Sequence, residues 1–213
     1  MNSESYLLSP ESRKSYEMLP VPLCVYKLVD GIYQLVLVSD GMCEMLNTPR
    51  EELLGNLSQN LESLAHPDDV YALRDARAYA MLHPEVEYHT VSRLLKKPNT
   101  YIWVSCYGKI QSTTEGEEFL FAEYADVTDR ELLRINIEIE RKQRELLFRE
   151  ILNATQTALF WKDSDRRFLG VNKAFLDYYD FPDESVLIGK NDEDMGWHAD
   201  PDPYKNDELQ VLQ

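Results

Sequence analysis

A chain of 213 residues that is 44% hydrophobic is long enough to bury a full core and to divide into two units. Its 38 acidic residues against 22 basic ones give a formal charge of -16, which makes binding to nucleic acid or to anionic lipid headgroups unfavourable, since both are themselves negative. The start MNSESYLLSPESRKSYEML has no basic segment leading into an apolar run, and nowhere do about 18 apolar residues follow one another, so no membrane span is expected and the chain reads as cytoplasmic.

The first periodic element is PLCVYKLV (22–29), followed by Asp30-Gly31 and IYQLVLVS (32–39): two strand patterns joined at a hairpin signal. In DGMCEMLN (40–47), Met42, Met45 and Leu46 recur at helical spacing, with Asp40 placed to cap the first turn. Thr48-Pro49-Arg50-Glu51 has the form of a capping box, which predicts a second short helix running to about Leu54 and stopping at Gly55. HPDDVYALRDARAYAMLH (66–83) opens with proline and acidic residues suited to the positive end of a helix dipole, and is the longest helix expected in the first half. Beyond Pro84 the pattern alternates. VEYHTVSRLL (86–95), TYIWVSCYGKIQS (100–112) and EFLFAEYADV (118–127), joined by short turns, read as three antiparallel strands in meander order. Two strands, then helices, then three strands imply an α+β domain with an antiparallel five-stranded sheet and helices on one face.

From Thr128 to Leu152 there is no glycine or proline, and Thr128 to Glu131 repeats the capping-box pattern. A helix of about 24 residues, or about 36 Å, should leave the last strand directly. Leu132, Ile135, Ile139 and Leu146 share a heptad seam that Lys142 and Arg149 interrupt. Such a helix is either an amphipathic connector or a parallel dimerising coiled coil; the seam favours the coiled coil and, with it, a homodimer through residues 128–152.

After this helix the sequence begins again with TALFWKD (157–163), RFLGV (167–171) and NKAFLDYYDFPDESVLIG (172–189). Laid on the earlier segment without a gap, Val171 falls on Val38, Phe175 on Met42, Tyr178 on Met45, Tyr179 on Leu46 and Pro182 on Pro49. Such spacing signals a duplicated domain.

These features resemble the PAS family of sensor domains. The first unit carries the resemblance over about residues 16–131: the hairpin and helix followed by PREELLG, the HPDD opening of the long helix, and YADVTDRE, which looks like the Asp-(Ile/Val)-Thr-x-x-Glu ending of PAS domains. Over 150–213, FWKDSDRRFLGVNKAFLDYYDF and IGKNDEDMGWH are similar to the start of PAS units in bacterial signalling proteins, including diguanylate cyclases and sensor histidine kinases. The expected organisation is an N-terminal segment at 1–15, a PAS domain at 16–128, a linker helix at 129–152 and the N-terminal part of a second, truncated PAS domain at 153–213. Without its last three strands, that second unit should expose a sheet edge and be weakly stable or borrow a partner.

The three cysteines, Cys24, Cys43 and Cys106, are far apart in apolar stretches and read as reduced core thiols. PAS domains that form a light-driven flavin adduct use a cysteine in an Asn-Cys-Arg motif, which this sequence lacks, so no such adduct is expected; no cofactor is evident, and the core either holds a small ligand of unknown identity or is filled. His66 and His83 precede prolines and mark helix boundaries, and His89 reads as a structural histidine in a strand rather than a haem ligand. Asp192, Glu193, Asp194, His198, Asp200 and Asp202 match no metal-ligand loop and read as a solvated acidic loop, packed by Trp197 and Tyr204.

A ligand would sit between the sheet and the short helices. The candidates for that face are Tyr26, Val38, Met42, Leu46, Leu64, Val91, Trp103, Ser105, Tyr107 and Phe121, a choice that a shift of one residue in strand register inverts. The resemblance implies that Asp126, Thr128 and Glu131, at the passage from last strand to outgoing helix, couple changes in the sheet to that helix. No serine-histidine-acid order, phosphate loop or metal motif points to catalysis. The expected function is a non-enzymatic sensory module relaying a ligand or partner signal through the helical linker to a C-terminal output domain. The alternative is a ligand-free interaction and dimerisation module.

Overall fold

The tight turn at Asp30-Gly31, both at positive φ (51° and 76°), folds Leu23–Val29 (β1) back on Ile32–Val38 (β2). In this computed structural model, which describes residues 9–83, 85–113, 116–196 and 210, the chain divides into two compact units, Met1–Arg134 and Ile135–Gln213.

In the first unit β1 and β2 join Tyr88–Lys96 (β3), Thr100–Ser112 (β4) and Glu118–Asp126 (β5) in one antiparallel sheet of order β2-β1-β5-β4-β3. One face carries the main core. Leu46, Leu53, Leu57 and Ala80, from the helices Asp40–Leu46 (α2), Arg50–Gln59 (α3) and Val70–Leu82 (α4), pack there against Tyr26, Leu35, Val104 and Leu120.

The other face is not left bare. A helix that the sequence reading missed, Pro10–Glu17 (α1), begins at the N-cap Ser9 with proline in its first turn, and its Tyr16 packs against Val25, Leu37 and Phe119. Helices therefore lie on both faces, with α1 opposite the other three.

Local capping differs from expectation in two places. The N-cap of α2 is Ser39, whose hydroxyl accepts from the Met42 N–H (3.2 Å), while Asp40 pairs with Arg50 instead. Thr48 does not cap α3: its hydroxyl donates back to the Leu46 carbonyl (3.0 Å) and Pro49 is the N-cap. That helix also runs past Gly55, because Leu53 and Leu57, one turn apart, are both buried, which outweighs the cost of about 1 kcal/mol for glycine in a helix. The histidine assignments hold for His66, the N-cap of the one-turn helix Pro67–Asp69, and for His83, the C-cap of α4.

The helix leaving β5 is Thr128–Ala154 (α5), 27 residues and about a turn longer than expected. Leu132, Ile139, Leu146, Leu147, Phe148 and Ile151 are all exposed along it.

The second unit repeats the opening of the first. Phe160–Lys162 (β6) pairs with Phe168–Val171 (β7), and Lys173–Tyr179 (α6) follows at once. The ungapped repeat places Asn172 on Ser39 and Asp180 on Asn47. Asn172 is the N-cap of α6, and Asp180 ends it at φ 56° just as Asn47 ends α2 at φ 51°.

A small core of Phe168, Val171, Phe175 and Leu187 lies beneath. The expected solvated acidic loop is corrected in its described part. Asp192 to Met195 forms a short helix (α7), and Asp192 is buried, paired with Lys162 (2.5 Å) and Arg166 (3.6 Å). Trp197, His198, Asp200, Asp202 and Tyr204 lie outside the described residues.

Candidate functional site

A cavity of about 70 Å³ lies between the inner sheet face of the first unit and its helices. Leu57, Leu61, Leu64 and Met42 form its apolar side, and strand residues of matching parity form the other: Tyr88, Thr90, Ser92 and Leu94 from β3, Val104 and Cys106 from β4, and Leu120, Ala122 and Tyr124 from β5. The segment before α4 is stitched to β3 by His66 N–H to Arg93 O (2.9 Å) and Leu95 N–H to Leu64 O (2.8 Å), which holds Leu61 and Leu64 in place. Asp69 locks the same corner, accepting from the Arg93 N–H (2.8 Å) and its guanidinium (2.6 Å); these bonds hold the carboxyl below its ordinary range.

The polar groups in this cavity are neutral hydroxyls and thiols, with Arg77 as the exception. The Tyr26 and Tyr124 hydroxyls share one hydrogen bond at 3.0 Å. Burial drives the pKa of both phenols well above the ordinary 10.0, raises Tyr33 and Tyr88, and pushes the Cys106 thiol up to about 12, so all of these groups keep their protons at neutral pH. Arg77 pairs with Glu62 and donates its Nε to the Leu73 carbonyl (3.2 Å). Burial raises the Glu62 carboxyl, but Arg74 and Arg77 outweigh it and leave the net shift downward. Among the described residues that line this cavity, two side-chain oxygens make no hydrogen bond of good geometry in the protein: the Tyr33 hydroxyl, on a residue only 6% exposed, and Thr90 Oγ1, which is close enough to the Tyr88 hydroxyl to act on its pKa.

Of the residues expected on this face, Tyr26, Met42 and Leu64 line the cavity. Val38 and Leu46 are buried in the surrounding core without lining it. Val91, Trp103, Ser105, Tyr107 and Phe121 are corrected: each is one residue out of register and lies on the opposite face of its strand. There Phe121 meets Tyr16 (6.0 Å), Trp103 stacks under Arg93 (5.2 Å), and His89 lies flat on Tyr107 (4.2 Å) with its Nε2 against Ser105 Oγ (3.2 Å).

Sequence reasoning overlooked Tyr33, Arg77, Thr90 and Tyr124. A signal was present in Gly108, where a Cβ would come within 2.9 Å of Leu120 and 3.2 Å of Tyr88. A glycine in a strand marks close approach, and its parity assigns Cys106 and Val104 inward.

The second group, Asp126, Thr128 and Glu131, is brought together at the β5–α5 passage. Thr128 Oγ1 accepts from the Trp103 N–H of β4 (3.0 Å) and donates to Asp126 Oδ1 (2.6 Å), and that same carboxylate oxygen accepts from the Thr128 N–H (3.0 Å). The expected capping box is thus replaced by a bridge. Asp126 serves the first helical N–H, while the threonine hydroxyl ties the helix start to the neighbouring strand. Glu131 is buried and pairs with Arg134 (2.9 Å) and Arg130 (3.3 Å).

Among the described residues no group of three or more His, Cys, Asp or Glu is placed to hold a metal ion, and no helix is long and apolar enough to cross a membrane. The thiols of Cys24, Cys43 and Cys106 are all free.

The chain is similar to known proteins over both units. A PAS fold family matches residues 35–124 and a PAS domain family matches residues 146–212. No curated protein matches. Among solved structures, a sensory box histidine kinase/response regulator from Burkholderia thailandensis is 17% identical over 64% of this chain and 96% of its own, with a TM-score of 0.47. The N-terminal domain of a diguanylate cyclase with PAS/PAC sensor from Marinobacter aquaeolei is 14% identical over 51% of this chain and 98% of its own, at 0.41. An RNA-binding light-oxygen-voltage receptor is 17% identical over 65% of this chain but only 39% of its own, at 0.48. With a PAS fold model matched over the first unit, a PAS domain model over the second and a five-stranded sheet between helices, the chain carries a PAS domain in its first unit and a partial one in its second.

Proposed function

We propose that this chain is the sensory part of a signalling protein. In this reading residues 16–128 sense a ligand or partner, 129–152 relay the signal, and 153–213 belong to a second PAS domain. The output is a diguanylate cyclase or histidine kinase domain on the same polypeptide. The observation that carries the reading is the Thr128 hydroxyl, which joins β4, the end of β5 and the first turn of α5 in one bridge. Cys106 and Val104, which line the cavity, stand on the same strand as Trp103, whose N–H that hydroxyl receives. A change in the cavity therefore reaches the helix through one strand and one hydrogen bond, with Asp126 and Glu131 fixing the helix start.

Relay along α5 is read as a helix-to-helix contact between two copies, for which the exposed Ile139 and Leu146 supply the apolar seam. Sedimentation of the full chain tests this: it should self-associate, and Ile139→Glu with Leu146→Glu should weaken association at least about tenfold while the melting of the first domain stays unchanged. A chain that is monomeric at all concentrations overturns the helical relay. The same exposed seam favours a second reading, a ligand-free dimerisation module. Native mass spectrometry separates the two, since a dimer carrying a small-molecule mass that is lost on denaturation belongs to the sensor reading alone.

A further inference from the structure

Resting on the reading of the first-domain cavity as a sensing site, we propose that its ligand is a small neutral molecule carrying a hydroxyl or carbonyl group, held through Tyr33 and Thr90. Size sets the first limit. About 70 Å³ is roughly half the 150 Å³ of an apolar cavity that takes benzene, which leaves room for roughly three to five non-hydrogen atoms.

Charge sets the second limit. Arg77, the one cation lining the cavity, is held by Glu62, itself shared with Arg74 (3.2 Å). The charges of Glu118 and Arg77 act on Tyr33 in opposite senses. An anion would leave water for a site whose guanidinium already has a carboxylate, and a cation would meet no lining carboxylate at all.

The orphaned hydroxyls set the third. A buried hydroxyl without a partner is costly, and a ligand that supplies the partner recovers that cost while a hydrocarbon of equal size does not. Tyr33 and Thr90 provide two such atoms on a lining that is otherwise mostly apolar. The Tyr33 phenol, whose ordinary pKa is already 10.0 and is raised further, carries its proton at neutral pH and donates it to a ligand oxygen.

The test uses the full chain and three probes with the same number of non-hydrogen atoms: butan-2-one, propionate and cyclopentane, titrated with ligand-observed NMR. Butan-2-one should bind about tenfold more tightly than either of the others, and Tyr33→Phe should remove most of that preference. Without any probe, Tyr33→Phe should melt at or above the wild-type temperature, because the lost hydroxyl has no protein partner. Failure of all three probes to bind, propionate or cyclopentane binding within threefold of butan-2-one, unchanged selectivity in Tyr33→Phe, or a Tyr33→Phe melting point several degrees lower would each overturn the assignment.

Hydrogen exchange in the first turn of α5 separates this assignment from the relay. Selective butan-2-one binding with protected or deprotected α5 amides supports both. Selective binding without any α5 change sinks the relay and leaves the ligand class, and an α5 response to cyclopentane sinks the class and leaves the relay.

Discussion

Ser39 and Asn172 hold equivalent places in the two PAS domains and do the same work with different chemistry. Ser39 Oγ accepts from the Leu23 and Met42 N–H groups (2.9 and 3.2 Å) and donates to the Val21 carbonyl (2.7 Å). Asn172 Oδ1 accepts from the Leu159 and Phe175 N–H groups (2.8 and 3.0 Å), while its Nδ2 donates to the carbonyls of Leu152 (2.9 Å) and Thr157 (2.8 Å). In both, one short polar side chain ties the start of the hairpin to the helix that follows it, and a left-handed residue ends that helix. Beyond this nucleus the domains part. The first continues into β3, β4 and β5, which supply most of the strand side of its cavity, whereas the described second domain fills its small core with Phe168 and Phe175. The hairpin-and-helix opening specifies itself locally; the cavity belongs to the strands that come later.

The largest effect expected from this comparison is at Gly41. A Cβ there would stand 2.1 Å from the Pro20 carbonyl oxygen, a backbone atom that has no easy way to move. The repeat places Ala174 at the same position in the second domain. Gly41→Ala should cost the first domain roughly 3 kcal/mol, read from its denaturant midpoint, whereas Ala174→Gly should cost the second only about 1 kcal/mol, the usual helical penalty. Equal effects at the two positions would break the equivalence.

The caps come next. Asn172→Ala removes four hydrogen bonds and should cost about 2–3 kcal/mol, and Ser39→Ala removes three and should cost about 1–2 kcal/mol. Hydrogen exchange should localise each loss to its own domain.

The smallest effect per step is a response to alkali. Cys24 and Cys106 have an ordinary pKa of 9.0, and Tyr26 and Tyr124 one of 10.0; burial raises all four in the folded first domain. A raised folded pKa means that stability is complete below the unfolded value and falls as pH climbs past it, because only the unfolded chain releases the proton. The first domain should therefore lose stability from about pH 9 upward, at roughly 1.4 kcal/mol per pH unit for each group fully ionised in the unfolded state. The second domain, whose core is Phe168, Val171, Phe175 and Leu187, should lose less over the same range. Chemical denaturation at pH 8, 9 and 10 with domain-resolved probes checks both halves of the statement.

The opening of each domain was legible because its signals are local: Asp30-Gly31 needs no distant partner to turn, and neither does the helical spacing of Met42, Met45 and Leu46. Strand parity was not. With α1 covering part of the outer sheet face and the aromatic residues Tyr101, Trp103 and Tyr107 on the outer side of β4, the first half of that strand carries large apolar surface on both faces, and hydropathy alternation loses its meaning there. A register shift between Val25 and Tyr26 adds to this, since it sets Val38 and Leu35, three residues apart, in the same core. Asp126, Thr128 and Glu131 stood out by motif, but the bonding of Thr128 did not, because its partner is the Trp103 backbone of another strand.

The strand order has one more consequence, a mechanical one. β1 and β5, the first and last strands of the first domain, are neighbours, and the start of one lies beside the end of the other: Leu23 is opposite Glu123, and the Tyr124 N–H reaches the Pro22 carbonyl (2.8 Å). Tension applied to the chain at both ends of this domain would load the rungs between β1 and β5 one at a time, as in a zipper, rather than all together in shear. A domain strung this way between other segments opens first at its point of exit, next to Asp126 and Thr128, and the rungs that follow, Cys24 opposite Ala122 and Val25 opposite Phe121, belong to its core.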